Sequence, residues 1–232
     1  MKLIDISSDL LTAPVYPGDP EPRLHVVSRI ANGDECNLSA LYACLHTGTH
    51  ADAPMHFIEG GKSISEMPLE CFIGPCTVLE IEPGPVTGEQ IDALVKPGCE
   101  RVLFKSGGGA YFLESAGDEL AMLGVRLVGT DAQSVGCPGN QARPHRALLQ
   151  ENIAVLEGLC LEAAPPGDYF LIAPPVKIVG RDGAPVRAVL ASDYILGWGP
   201  VKYEAINAAK SCLWPLIREG IVTSIVIFRQ NN

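Results

Sequence analysis

The stretch from His46 to Phe57, His-Thr-Gly-Thr-His-Ala-Asp-Ala-Pro-Met-His-Phe, constrains the fold of this chain more than any other. It holds three of the five histidines in the protein, and His46, His50, Asp52 and His56 all fall on even positions. In an extended segment successive side chains alternate faces, so these four would point one way. Full extension would leave His46 and His50 roughly 13 Å apart, at about 3.3 Å per residue. Two ligands of one zinc must each reach it at about 2 Å. A fold that uses both must bend the chain between them, and Gly48, between Thr47 and Thr49, is the permissive residue at the midpoint. A helix would also bring these two histidines together, but Gly48, the two threonines and Pro54 oppose it.

Three histidines and an aspartate this close together point to a metal site, because histidine is a costly core residue unless hydrogen-bonded. The competing reading is a polar, hydrogen-bonded turn. Imidazole nitrogens with one carboxylate suit zinc, and also manganese or iron. His25 lies in a strand-like run and reads as a satisfied structural histidine. His145, after Pro144 and just before a helix-like segment, reads equally as structural or as a ligand. Glu157 ends an apolar run, an expensive place for a charge unless it is paired or binds metal. Cys44 shares the parity of His46 and is a soft candidate ligand, set against the simpler reading of a buried thiol.

The rest of the composition narrows the class. The chain has 232 residues, 47% hydrophobic and 19% charged, enough for one large core. A formal net charge of -10 argues against a nucleic-acid partner, since phosphate binding needs a basic face. No apolar stretch of about 20 residues is present to span a bilayer. Asp5 interrupts the N-terminus too early for a signal-peptide core, so a cytoplasmic protein is expected. The eight cysteines are scattered without a Cys-x-x-Cys pair and read as reduced core residues.

In chain order, strands are expected at Leu3–Ile6, Leu24–Ile30, Leu38–Leu45, Pro75–Ile81, Arg101–Lys105, Arg126–Gly129, Ile153–Leu156, Tyr169–Ala173 and Val186–Leu190. Helical segments are expected at Gly88–Leu94, at Asp118–Leu123 with Asp118 as cap or first-turn acid, and at His145–Asn152 with Leu148 and Leu149 facing inward. Leu11–Arg23, with four prolines, is a long irregular segment around the turn Tyr16-Pro17-Gly18-Asp19. Ser106-Gly107-Gly108-Gly109 lacks the lysine of a phosphate-binding loop and reads as a turn. Arg181 to Pro185 reads as a hairpin-like turn. Strands outnumber helices and are not regularly separated by long ones. That predicts a mixed, β-rich α/β domain over residues 1–191, not a doubly wound parallel sheet. From residue 192 to 232 the character changes to a C-terminal extension, a candidate oligomerisation arm. It is helix-like over Tyr203–Leu216 and strongly β-prone over Ile221–Phe228.

The residues His46-x-Gly48-Thr49-His50-x-Asp52-x-Pro54-x-His56-Phe57 resemble the signature of the cyclase-like metal-dependent hydrolases, a family that contains bacterial kynurenine formamidase and isatin hydrolase. Further blocks are similar to that family: Asp5-Ile6-Ser7, Tyr16-Pro17-Gly18-Asp19, Asp131-Ala132-Gln133-Ser134, His145-x-x-Leu148-Leu149, Val155-Leu156-Glu157-Gly158-Leu159 and Asp182-Gly183-Ala184-Pro185-Val186-Arg187. The likeness spans about residues 3 to 190. It implies a swivelling β/β/α domain assembled as a homodimer or homotetramer. His46, His50 and Asp52 would hold one divalent ion, zinc first and manganese second. Asp52 would bridge to a second ion held also by His145 and Glu157, giving one or two ions per subunit. His56 would be the acid/base residue.

The implied activity is hydrolysis of a non-peptide carbon–nitrogen bond in a small molecule. The leading substrate is N-formyl-L-kynurenine, giving kynurenine and formate in tryptophan breakdown. The alternatives are a hydrolase or cyclase of a cyclic amide, lactone or polyketide-like substrate, and a non-catalytic metal-binding protein.

Overall fold

The structure, a computed structural model, describes residues 2–192. The helix and strand expected over Tyr203–Leu216 and Ile221–Phe228 lie outside the described residues. Of the expected extension only Ser192 is described, as the last residue of a strand.

Thirteen strands and four α-helices are present among these residues. In order they are β1 (Lys2–Asp5), β2 (Arg23–Ser28), β3 (Leu38–Tyr42), β4 (His50–Asp52), α1 (Leu69–Phe72), β5 (Ile73–Glu80), β6 (Gly84–Val86), α2 (Gly88–Leu94), β7 (Arg101–Lys105), β8 (Ala110–Phe112), α3 (Glu114–Met122), β9 (Leu127–Thr130), α4 (Ala142–Leu149), β10 (Ala154–Glu157), β11 (Gly167–Ile172), β12 (Gly183–Pro185) and β13 (Val189–Ser192). Nine strands form one mixed sheet in the order β1-β13-β11-β5-β7-β9-β10-β4-β12.

The middle of that sheet, β5-β7-β9-β10, is parallel. Its crossovers carry the short helices α2, α3 and α4, which pack side by side. Alternation along each strand decides which core a residue joins. Val102 and Phe104 of β7, Val128 of β9 and Val155 of β10 face the helices, with Ile91, Leu120, Leu148 and Leu149. Leu103, Leu127, Ala154 and Leu156 point the other way, into a second core. Ile4 of β1 and Ala184 of β12, from opposite edges of the sheet, join that same core, so the sheet curls over it. The mixed, β-rich class is as expected, and α2, α3 and α4 on one face, with the curled sheet and the single turn of α1 on the other, are not a doubly wound arrangement.

Local chemistry explains the differences from the sequence reading. The third helix starts at Glu114 rather than at Asp118, and its N-cap, Leu113, makes no side-chain cap, so the sequence carries no start signal there. The fourth runs over Ala142–Leu149 and places His145 inside the helix instead of ahead of it. Pro144 lies in its first turn, where a missing N–H costs little. The segment expected as a hairpin turn holds a strand, since Gly183–Pro185 pair with Asp52–His50 at the sheet edge. The last strand lies at Val189–Ser192, displaced from Val186–Leu190. His25, read as structural and not as a ligand, is exposed on β2 and belongs to no group of potential metal ligands among the described residues.

Candidate active site

The site forms where β4, the carboxyl end of β10 and α4 meet. The bend predicted between His46 and His50 is made at Gly48, whose φ of 66° is left-handed and suits glycine. A Cβ there would also come within 3.1 Å of Ser8 Oγ. Thr49, buried beside it, donates to the Gly158 carbonyl at 2.6 Å and pins the bend against the turn after β10. Residues His50 and Asp52 then lie two apart on β4 and share a face. His56 follows on a single 3-10 turn, Pro54–His56.

All six residues named from the sequence come together. His46 Nδ1 lies 2.8 Å from Asp52 Oδ1, and His50 Nε2 lies 3.4 Å from the same oxygen. His145 Nε2 lies 3.5 Å from Asp52 Oδ2 and 3.1 Å from Glu157 Oε1. His50 Nε2 also lies 3.3 Å from Glu157 Oε2. The ring of His56 stacks on that of His46, with centroids 4.0 Å apart.

Each of three imidazoles has one nitrogen engaged away from this centre. His50 Nδ1 donates to the Gly48 carbonyl at 3.0 Å, and His145 Nδ1 donates to the Gln141 carbonyl at 2.7 Å. His46 Nε2 donates to Asp182 Oδ2 at 2.7 Å. The three remaining ring nitrogens turn toward Asp52 and Glu157.

The electrostatics fit that arrangement. Burial disfavours charge on Asp52, but the imidazoles of His145, His46 and His50 crowded against it hold its carboxyl well below the usual range. Burial and the Asp52 charge push Glu157 up, yet its bonds to His145 and His50 bring it to about 2. Burial opposes a proton on His145, but Asp52 and Glu157 push it up to about 10. His56 goes the other way: burial lowers it below its ordinary value, and the Asp52 charge only partly offsets this. Two anionic carboxylates thus face imidazoles with protons to exchange, while His56 is neutral near pH 7.

A divalent metal fits these donors. Asp52 Oδ2 is fully buried and has no hydrogen-bond partner, an orphaned acceptor that native interiors rarely leave. The ligand-type atoms of His50, Asp52 and Glu157 all lie within 4.8 Å of one another, and so do those of His46, Asp52 and His56. Nitrogen and carboxylate donors of this kind suit zinc and its neighbours. Cys44 is not in either group; its Sγ lies 3.7 Å from Asp19 Oδ2.

The site opens into a pocket of about 210 Å³ whose walls include Tyr16, Phe57, Gln133 and Gln141. Phe57 stacks on His145 at 4.3 Å. A larger depression of about 470 Å³ lies on the β2–β3 hairpin, but among the described residues no carboxylate–histidine cluster converges there. The smaller pocket therefore carries the chemistry.

Three participants escaped the sequence reading of individual side chains. Ser134 Oγ lies 3.1 Å from Glu157 Oε1 and 2.7 Å from Gln141 Oε1. Gln141 Nε2 donates to the Tyr16 hydroxyl at 3.0 Å. The third is Asp182. Ser134 and Asp182 lie inside blocks noted for family likeness, but nothing local marks either one as part of the site.

The family model described as "Putative cyclase" matches residues 4–136. The chain belongs to this cyclase family. Within it, the chain is 44% identical over 211 residues to the kynurenine formamidase of Salinibacter ruber, covering 82% of this chain and 97% of that one. It is 37% identical over 203 residues to the kynurenine formamidase of Sphingopyxis alaskensis, with the same coverage. A solved structure described as a potential metal-dependent hydrolase with cyclase activity superposes with a TM-score of 0.72 at 30% identity, over 82% of this chain and 96% of that one.

Proposed function

We propose that this protein is a kynurenine formamidase, a metal-dependent hydrolase that converts N-formyl-L-kynurenine to kynurenine and formate in tryptophan breakdown. The observation that carries the proposal is the 44% identity to the Salinibacter ruber kynurenine formamidase over 97% of that chain. The geometry supplies the parts such a reaction needs.

In this reading His46, His50 and Asp52 would hold one ion, and Asp52, His145 and Glu157 would hold a second. The support is that Asp52 Oδ1 faces His46 and His50, while Oδ2 faces His145. Zinc is the first choice for three imidazoles and two carboxylates, manganese the second. A divalent ion held there would supply Lewis acidity, which lowers the pKa of a bound water from 15.7 to about 7 and polarises a carbonyl. His56, neutral at pH 7 and only partly exposed, is suited to take a proton from the attacking water and return it to the leaving amine. Water thus adds to the formyl carbon, the carbon–nitrogen bond breaks, and the amine leaves protonated by His56. Phe57 and Tyr16 give the pocket aromatic surface for an aryl substrate.

Two further parts of the proposal concern the protein's setting. All seven cysteines among the described residues are unpaired, which supports a reducing, cytoplasmic location. No helix among those residues is long and apolar enough to cross a membrane. Leu24, Leu41 and Tyr42 on the β2–β3 hairpin are each more than half exposed, which supports assembly with a second copy of the chain.

The test is an assay of purified protein on N-formyl-L-kynurenine, with formate and kynurenine both measured. Stoichiometric products support the proposal. Turnover of cyclic amides with none of the formamide would replace it with the cyclic-amide reading.

A further inference from the structure

Asp182 lies 136 positions from His46 in sequence, on the far side of the chain from the histidine motif. The edge strand β12 brings it to the site. Gly183 pairs with Asp52, and the Asp182 carbonyl accepts from the Ala53 N–H at 2.9 Å, so the register sets Asp182 beside the site. Gly183 permits the approach. A Cβ at that position would stand 2.6 Å from His46 Cε1 and 2.8 Å from the Ala51 carbonyl oxygen.

At this place Asp182 meets two imidazoles. Its Oδ2 accepts from His46 Nε2 at 2.7 Å and lies 3.5 Å from His56 Nδ1. The two rings are stacked within 22° of parallel, so one carboxylate caps the edge of the pair. His50 and His145 are oriented by neutral backbone carbonyls. Among the three imidazoles whose free nitrogens face Asp52 and Glu157, His46 alone is oriented by a charge.

We propose that Asp182 is a positioning residue for the metal centre. Its carboxylate fixes the His46 tautomer with Nδ1 facing Asp52, raises the basicity of that nitrogen, and holds the His56 ring in register behind it. A carboxylate behind a metal-binding imidazole fixes its orientation and strengthens it as a donor, and loss of such a partner costs roughly 10- to 100-fold in metal affinity. The inference rests on the reading of His46 and Asp52 as metal ligands.

The experiment measures zinc affinity of the full chain by competition with a chromophoric chelator, for the wild type, D182A, D182N and D52A, with folding checked by circular dichroism. D52A should bind zinc far more weakly than the wild type. If it binds normally, the metal-ligand reading itself fails. Given that loss, D182A should bind zinc roughly 10- to 100-fold more weakly than the wild type. D182N keeps an acceptor oxygen without the charge and should recover part of the affinity. Folded D182A with affinity within about twofold of the wild type would overturn the role of Asp182, whatever its turnover. Should D182A not fold, D182N decides: a severalfold loss supports the proposal, and unchanged affinity overturns it.

Discussion

Glu157 stands directly across from His50 in the antiparallel β10–β4 pair, and the two side chains meet, His50 Nε2 3.3 Å from Glu157 Oε2. Sheet register alone makes this contact. A slip of one residue would send His50 and Asp52 to the opposite face together and dismantle the centre. The strand pairing therefore fixes His50 and Asp52 of β4 against Glu157 of β10.

Asp52 and His56 should separate metal retention from turnover. Asp52→Ala removes the carboxylate on which three imidazoles converge, and elemental analysis should find metal lost. His56→Ala should keep its metal and lose about 10²- to 10⁴-fold in kcat, the usual contribution of a positioned acid/base. The reverse pattern would invert the two roles.

Stability of the metal-stripped protein should peak in mildly acidic solution. His145, ordinarily 6.5, is raised to about 10, so its contribution is complete below 6.5 and is lost as pH climbs toward 10. Glu157, ordinarily 4.5, is lowered to about 2, so its contribution is complete above 4.5 and is lost as pH falls toward 2. Urea midpoints of stripped protein should be higher near about pH 5.5 than near about pH 9. Because metal ligands must be deprotonated, zinc uptake should release protons, measurable with a pH indicator in weak buffer.

Gly183→Ala should damage the site through the His46 ring, since the added Cβ would sit 2.6 Å from Cε1. A cost of about 1–3 kcal/mol in unfolding free energy is expected for overpacking of this kind, together with weaker metal binding. Equilibrium denaturation and chelator competition measure both effects.

Gln141→Leu should act on substrate binding. Its side chain bridges Ser134, which contacts Glu157, to the hydroxyl of Tyr16 in the pocket wall. Leucine frees the Tyr16 ring while leaving the carbonyl that orients His145 in place. Steady-state kinetics should show KM raised more than kcat is lowered, and Tyr16→Phe should show the same trend.

The parts of this site legible in the sequence were the local ones. His46, His50, Asp52 and His56 announced themselves because one bend at Gly48 and one short strand bring them together. His145 and Glu157 sit alone in apolar surroundings, and only the family likeness tied them to the centre. Asp182 carried no local signal of a site role, because Arg-Asp-Gly-Ala-Pro has the composition of a turn and its role depends on the pairing of β12 with β4. The fold followed the same division. Short apolar, β-prone runs located β5, β7 and β10 within a residue or two, whereas α3 began four residues early because Leu113 gives no capping signal.

Zinc titration of metal-stripped protein, with formate release from N-formyl-L-kynurenine followed at each addition, tests the central claim most directly. The account predicts no turnover in the stripped protein and activity that rises with bound zinc until the site is filled. Full turnover by protein shown to contain no metal, or a zinc-saturated protein that leaves the formamide intact, would contradict it.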